Sequence, residues 1–295
     1  MRRYILYLLI VFLAGGLIYV FQKSDEPADS NLPRGSEVQL HYSFFSQKEF
    51  FDEAFRNAPI SSLTAEREKI SAVIVNHHLL APHFIAQGLQ TVASEKQLTV
   101  VLISPNHFSV GRGPVITSRY GWKTPYGVLQ PDLGLIDQLT ESGLVEVEED
   151  PFVREHGISN IVAFITKVLP QAKVVPLIFK ERISDSQTDA FAEELDARLL
   201  DGALVVASLD FSHYHDLATA NLHDQASLEV LQQFDYGRIK DLDIDSRPAL
   251  RILLKYLDHK RAKTFTLLQH SNSAVVAGKL DEPETTSYIT GYFSK

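Results

Sequence analysis

Short runs of apolar, β-branched residues, recurring between amphipathic stretches, constrain this chain more than any other feature. They are SAVIV at 71–75, LTVVLI at 98–103, KVVPLIF at 173–179, ALVVASL at 203–209 and TFTLLQ at 264–269. A strand apolar at successive positions has both faces covered, which is the condition of a sheet inside a layered α/β fold. Helical periodicity fills the intervals at 83–95, 132–142, 157–169, 187–200, 216–234 and 247–258. The alternation predicts a three-layer α/β/α sandwich with a largely parallel or mixed central sheet.

Outside these elements the N-terminus reads differently. Arg2 and Arg3 precede the uncharged run YILYLLIVFLAGGLIYVFQ at 4–22, and an apolar helix of about 20 residues spans the ~30 Å hydrocarbon core of a membrane. The cations before it and the acidic stretch after it orient the N-terminus to the cytoplasm. Residues 1–22 are therefore expected to be a transmembrane signal-anchor, with the membrane as a partner and the domain extracytoplasmic, in the periplasm or on the cell surface. A cleaved signal sequence releasing a secreted form is the alternative; the run is longer than a usual signal-peptide core. Residues 23–37, rich in Pro, Ser, Asp and Glu, read as a polar tether. Residues 38–295 read as one α/β domain.

Composition removes several chemistries. The chain has no cysteine, which excludes thiolate nucleophiles, disulfides, iron–sulfur clusters and Cys-ligated zinc. Its formal charge of −9, from 37 acidic and 28 basic residues, argues against a nucleic-acid partner, since phosphate backbones are bound by Lys and Arg. No GxSxG elbow, phosphate-binding GxxxxGK[ST], GxGxxG after a strand or HExxH motif occurs.

The histidines stand where an open α/β sheet puts its function, beyond the carboxyl ends of strands. Asn76, His77 and His78 follow the run ending at Val75, His107 follows the run ending at Ile103, and Asp210, His213 and His215 follow the run ending at Leu209. Any single strand-end histidine is ordinarily a packing or capping group; three such clusters on one edge point to a site. Imidazoles joined by carboxylates suit a divalent first-row metal such as iron(II), zinc or copper, and ligand type alone does not choose among them. His156, expected to open a helix beside Glu155, is a candidate acid or base. A carboxylate at a helix start is also favoured by the dipole alone.

In this order the motifs VIVNHHLLAPH (73–83), VVLISPNHFSVGRGPVITS (100–118), WKTPYGVLQPD (122–132), EHGISNIVAFI (155–165), AKVVPLIF (172–179), VVASLDFSHYH (205–215) and LLQHSNSAVVAGK…TTSYITGYFS (267–294) resemble the Memo family, protein B of the AmmeMemoRadiSam system. The resemblance spans about residues 38–295. It implies the fold of class III extradiol dioxygenases, with iron at strand carboxyl ends, His77 and His107 as metal ligands, and Asp210 and His213 lining the pocket. Partner proteins of that system are also implied. Where better-known members carry a cysteine ligand, this chain reads DLDIDSRPAL. Asp245 is the expected substitute, with Asp243 the alternative, and Asp245 as a cap for the following helix is the competing role. The expectation is a metal-binding protein acting as a non-haem iron dioxygenase on an unknown small molecule, with His156, Asp210 and His213 as its catalytic groups. The alternatives are a non-catalytic binding module acting with partner proteins and a metal-dependent hydrolase.

Overall fold

Uninterrupted Val, Ile and Leu residues build the middle of one twisted sheet. The computed structural model describes residues 39–59, 66–200 and 202–295. In chain order its elements are β1 (Leu40–Tyr42), α1 (Lys48–Asn57), β2 (Ile70–Val75), α2 (Pro82–Gln90), β3 (Thr99–Pro105), β4 (Val115–Thr117), β5 (Gly121–Thr124), β6 (Gly127–Pro131), α3 (Leu133–Glu141), β7 (Glu146–Val147), α4 (His156–Ser159), α5 (Val162–Val168), β8 (Lys173–Phe179), α6 (Asp185–Arg198), β9 (Leu204–Ser208), β10 (Phe211–His215), α7 (Leu217–Gln233), α8 (Arg247–His259), β11 (Thr264–Asn272), α9 (Ser273–Ala277) and β12 (Thr285–Ser294).

Strands β6, β8, β3, β9 and β2 lie side by side and parallel. Antiparallel β12 pairs with β2 through Gly291–Ser294, with β10 through Thr285–Ser287, and with β11 along most of its length. As a result β10 lies past the carboxyl end of β2. Alternate residues of the parallel strands face opposite layers. Ala72, Ile74, Val101, Ile103, Val175 and Val205 pack with Phe191 of α6, Val230 of α7 and Leu250 and Leu253 of α8. Val73, Val75, Val100, Leu102, Val174 and Val206 pack with Phe51 of α1, Ile85 and Leu89 of α2 and Phe164 of α5. The three layers follow, each buried aliphatic or aromatic side chain contributing roughly 1.5–3 kcal/mol. Gly88 sets the depth at which α2 seats: a Cβ there would stand 2.7 Å from Val75 Cγ1 and 2.9 Å from Thr290 Cγ2.

The structure departs from the sequence expectation at several places, among them the short strands β1 and β4 to β7 and the helix α1, which no predicted run covered. The helix predicted over 157–169 is two helices, α4 and α5, parted at Asn160 and Ile161; Asn160 there turns its amide to the His77 carbonyl (2.8 Å). DFSHYH, expected only as the residues beyond a strand end, carries the bulged strand β10, held in irregular register by β12. Strand β12 itself was not among the predicted runs.

The membrane reading is corrected. Among the described residues no helix is long and apolar enough to cross a membrane. The longest of them, α7, has 17 residues and carries Asn221, His223, Asp224 and Glu229, short of the ~20 mostly apolar residues a span requires. The transmembrane signal-anchor, the membrane as a partner and the extracytoplasmic location are set aside on this finding. The anchor and tether expected at 1–22 and 23–37 lie outside the described residues.

Candidate metal centre

Adjacent strands β3, β9 and β2 end together at one edge, and the residues just past them meet there. His77 follows β2, His107 follows β3, and Ser208 and Asp210 end or follow β9. The start of α4 brings His156 over them. Ligating atoms of His77, His107 and His156 all lie within 4.8 Å of one another. The rings of His107 and His156 are 3.9 Å apart, and those of His77 and His107 4.9 Å.

The hydrogen bonds fix which nitrogen each ligand presents. Ser208 Oγ donates its one proton to the Gly157 carbonyl (2.6 Å), so at its 3.1 Å contact with His77 Nδ1 the imidazole is the donor. Nε2 of the buried His77 is left bare. His107 is arranged the same way by another partner: Nδ1–H donates to Glu155 Oε1 (2.6 Å) and the backbone N–H to Glu155 Oε2 (3.0 Å). Glu155 Oε1 also accepts from Gly157 N–H (2.9 Å), capping α4. Imidazoles pinned by Nδ1–H, one of them to a carboxylate, are typical of metal ligands, because the pin sets both tautomer and ring orientation. Gly157 makes the fit possible, since a Cβ there would lie 2.0 Å from Ser104 Oγ.

Two buried aspartates face the bare nitrogen. Asp210 Oδ2 and Asp245 Oδ2 each stand 3.4 Å from His77 Nε2. Asp210 Oδ1 accepts the His77 backbone N–H (3.0 Å), and Asp245 Oδ2 accepts the Asp210 backbone N–H (2.8 Å). Burial pushes the Asp210 carboxyl up to about 7. It drives Asp245 well above the usual carboxylate range, with Asp210 adding repulsion. Burial likewise holds His77 well below the ordinary imidazole range, and burial together with His107 pulls His156 down to about 4. A buried imidazole lone pair opposite two carboxylates is unfavourable without a proton or cation between them. Asp245 Oδ1 is buried with no protein partner. The donor set therefore fits a divalent metal, and His77, His107 and His156 form a possible site for one.

Of the expected residues, the fold gathers His77, His107, His156, Asp210 and Asp245. Ser246, not Asp245, caps α8, its Oγ accepting from Ala249 N–H. His213 stands on β10, its backbone N–H bonded to Asp243 Oδ2 (3.0 Å), and burial lowers its imidazole. The alternative ligand Asp243 sits away from His77 and beside His215 and His223. Sequence reasoning named His156 as a proton-transfer group without its place beside His77 and His107, and missed Ser208 and Asn160. Ser208 had a signal, as the last polar residue of an apolar run.

A parallel sheet with imidazoles and buried carboxylates at its carboxyl edge defines an α/β/α protein with a candidate metal pocket. The profile of the Memo-like protein family matches residues 46–292, and the chain belongs to that family. It is 26% identical over 234 residues to a MEMO1 family protein of Thermotoga sp. strain RQ2, covering 72% of this chain and 80% of that one. A MEMO1 family protein of Saccharolobus solfataricus is 25% identical over 276 residues, covering 89% and 93%. Among solved structures, an uncharacterized protein from Escherichia coli K12 superposes with a TM-score of 0.50 at 15% identity, over 75% of this chain and 99% of that one; this likeness concerns the fold. These relationships establish the family and name no partner protein, so the expected partners from the AmmeMemoRadiSam system are set aside too.

Proposed function

We propose that this Memo-like protein holds iron(II) at the strand edge and acts as a non-haem iron enzyme on a small oxygen-bearing molecule. One observation carries the reading: the Nδ1 hydrogens of His77 and His107 are both committed to protein acceptors, which turns two bare Nε2 atoms into one buried pocket beside Asp245. His77 and His107 would be the imidazole ligands and Asp245 the carboxylate, the two-histidine, one-carboxylate set suited to iron(II). Bound there, the metal would supply Lewis acidity and redox chemistry toward oxygen. The chain's own residues do the rest. Glu155 and Ser208 hold the two imidazoles in orientation. His156, stacked against His107, and His213, reached from β10, are the groups placed to exchange protons with a bound molecule at their ring nitrogens. Asp210 fixes the His77 backbone and lines the pocket.

The test is metal analysis of the full chain purified without oxygen, as wild type and as His77→Ala and His107→Ala. The expected result is stoichiometric iron in the wild type. Each variant, with its near-ultraviolet dichroism retained, should lose affinity by more than the ~10–100-fold typical of residues that only support a ligand. Equal metal in all three would overturn the reading. Metal retained by His213→Ala with unchanged turnover of a substrate would remove His213 from the catalytic groups, and metal-loaded wild type that turns over no oxygen-bearing substrate would favour a non-catalytic binding module.

A further inference from the structure

We propose that His215, His223 and Asp243 form a second divalent-metal site, suited to zinc, on the flank of β10. The inference uses different ligands from the strand-edge pocket and does not rest on the reading given to it. His215 closes β10, His223 lies in the second turn of α7, and Asp243 belongs to the segment leading into α8. Three parts of the fold thus bring two imidazoles and a carboxylate together, with ligating atoms all within 4.8 Å of one another.

The distances are those of a coordination shell. Zinc bonds of about 2.0–2.1 Å to nitrogen and oxygen set tetrahedral ligand atoms roughly 3.3–3.4 Å apart. Asp243 Oδ2 lies 3.3 Å from His215 Nε2 and 3.2 Å from His223 Nδ1. The two rings stand 4.7 Å apart at 87°, so each can turn a lone pair inward without stacking on the other.

Four polar groups crowd that carboxylate oxygen. Ser212 Oγ and the His213 backbone N–H already donate to Asp243 Oδ2, each at 3.0 Å. His223 Nδ1 stands 3.2 Å from the same oxygen, within hydrogen-bonding reach, and His215 Nε2 stands 3.3 Å from it, so two imidazole nitrogens converge on an atom that already accepts two donors. A cation among the three groups resolves this, with Ser212, fully buried, as the outer partner that orients the carboxylate. Without thiolates the set favours a borderline divalent ion. All three side chains remain partly exposed, which leaves an open coordination position and makes the ion exchangeable. Bound there, it would tie β10, α7 and the 242–246 segment together beside His213.

The experiment titrates the metal-stripped full chain with Zn²⁺ against a chromophoric chelator. A His77→Ala/His107→Ala background removes the strand-edge pocket from the count. One equivalent of zinc is expected in that background. Adding His223→Ala or His215→Ala should abolish it, and adding Ser212→Ala should weaken it by ~10-fold or more. Unchanged zinc binding on adding His223→Ala overturns the proposal. If the double background does not fold, the same substitution is made in the wild-type chain. His223 is partly exposed there and its loss should spare the fold, so zinc per chain must drop by one equivalent, and an unchanged count again overturns the proposal. Metal lost from His77→Ala/His107→Ala but kept at the second site upholds both readings, and the reverse pattern sinks each separately.

Discussion

Glu155 does two things with one carboxylate: it caps α4 through Gly157 and pins His107 through Nδ1. These roles separate by substitution. Glu155→Gln keeps an oxygen for the cap but loses the charge that strengthens the imidazole as a ligand, and is expected to lower metal affinity by ~10–100-fold with little loss of stability. Glu155→Ala should lower affinity as well and cost about 1 kcal/mol through the lost cap. Metal titration beside thermal melting checks this; equal affinity in Glu155→Gln and wild type would leave the residue a cap only. His77, His107 and Asp210 were legible in the sequence because each lies within four residues after an apolar run, and parallel strands deliver such residues to one edge. The bond between Glu155 and His107 was not, since it joins residues 48 apart in the chain and a carboxylate at a helix start already has a local reason to be there.

Between elements, α6 and α8 are joined by a bidentate pair: Arg251 Nε and Nη2 donate to Asp189 Oδ1 and Oδ2 at 2.8 and 3.0 Å. The guanidinium lowers the Asp189 carboxyl below its ordinary range. A carboxyl lowered on folding adds stability that is fully present above its unfolded value of about 3.9 and disappears as pH falls through the folded one. Denaturant midpoints measured from pH 7 down to about 2 should therefore show a loss in the wild type below about pH 4 that Arg251→Met lacks. The partly exposed pair is worth no more than about 1 kcal/mol, and parallel acid profiles would rule the contribution out. All five apolar runs became strands: four of them, β2, β3, β8 and β9, are buried on both faces, whereas the fifth lies in β11 and stays partly exposed. Strand β12 carries no such run. Its Ser287, Thr290 and Ser294 are buried alongside Tyr288, Ile289, Tyr292 and Phe293, so the segment shows neither a continuous apolar run nor an alternation of apolar and polar residues. The break between α4 and α5 was hidden for a related reason, as Asn160 leaves the helix for a tertiary partner, the His77 carbonyl.

For the molecule as a whole, a ligand bound only by the folded state raises stability by about 2.7 kcal/mol at a hundredfold excess over its dissociation constant. At roughly 2–4 °C per kcal/mol for a domain of this size, that is a shift of roughly 5–10 °C in Tm. Calorimetry of a His223→Ala chain, loaded with iron(II) without oxygen and then stripped by a chelator, should show that rise and its reversal; coincident melts would tell against the strand-edge pocket as a metal site. The placement of β12 sets the order in which such a molecule can be assembled. Ser294 pairs with Ile70, and Thr285 with His215, so the last described strand binds both a founding strand of the sheet and the strand that walls the pocket. Closing so long a loop is slow. A nascent chain can therefore set β2, β3 and β9 side by side during synthesis, while the wall carrying His213 and His215 waits for translation to reach residue 285 and beyond.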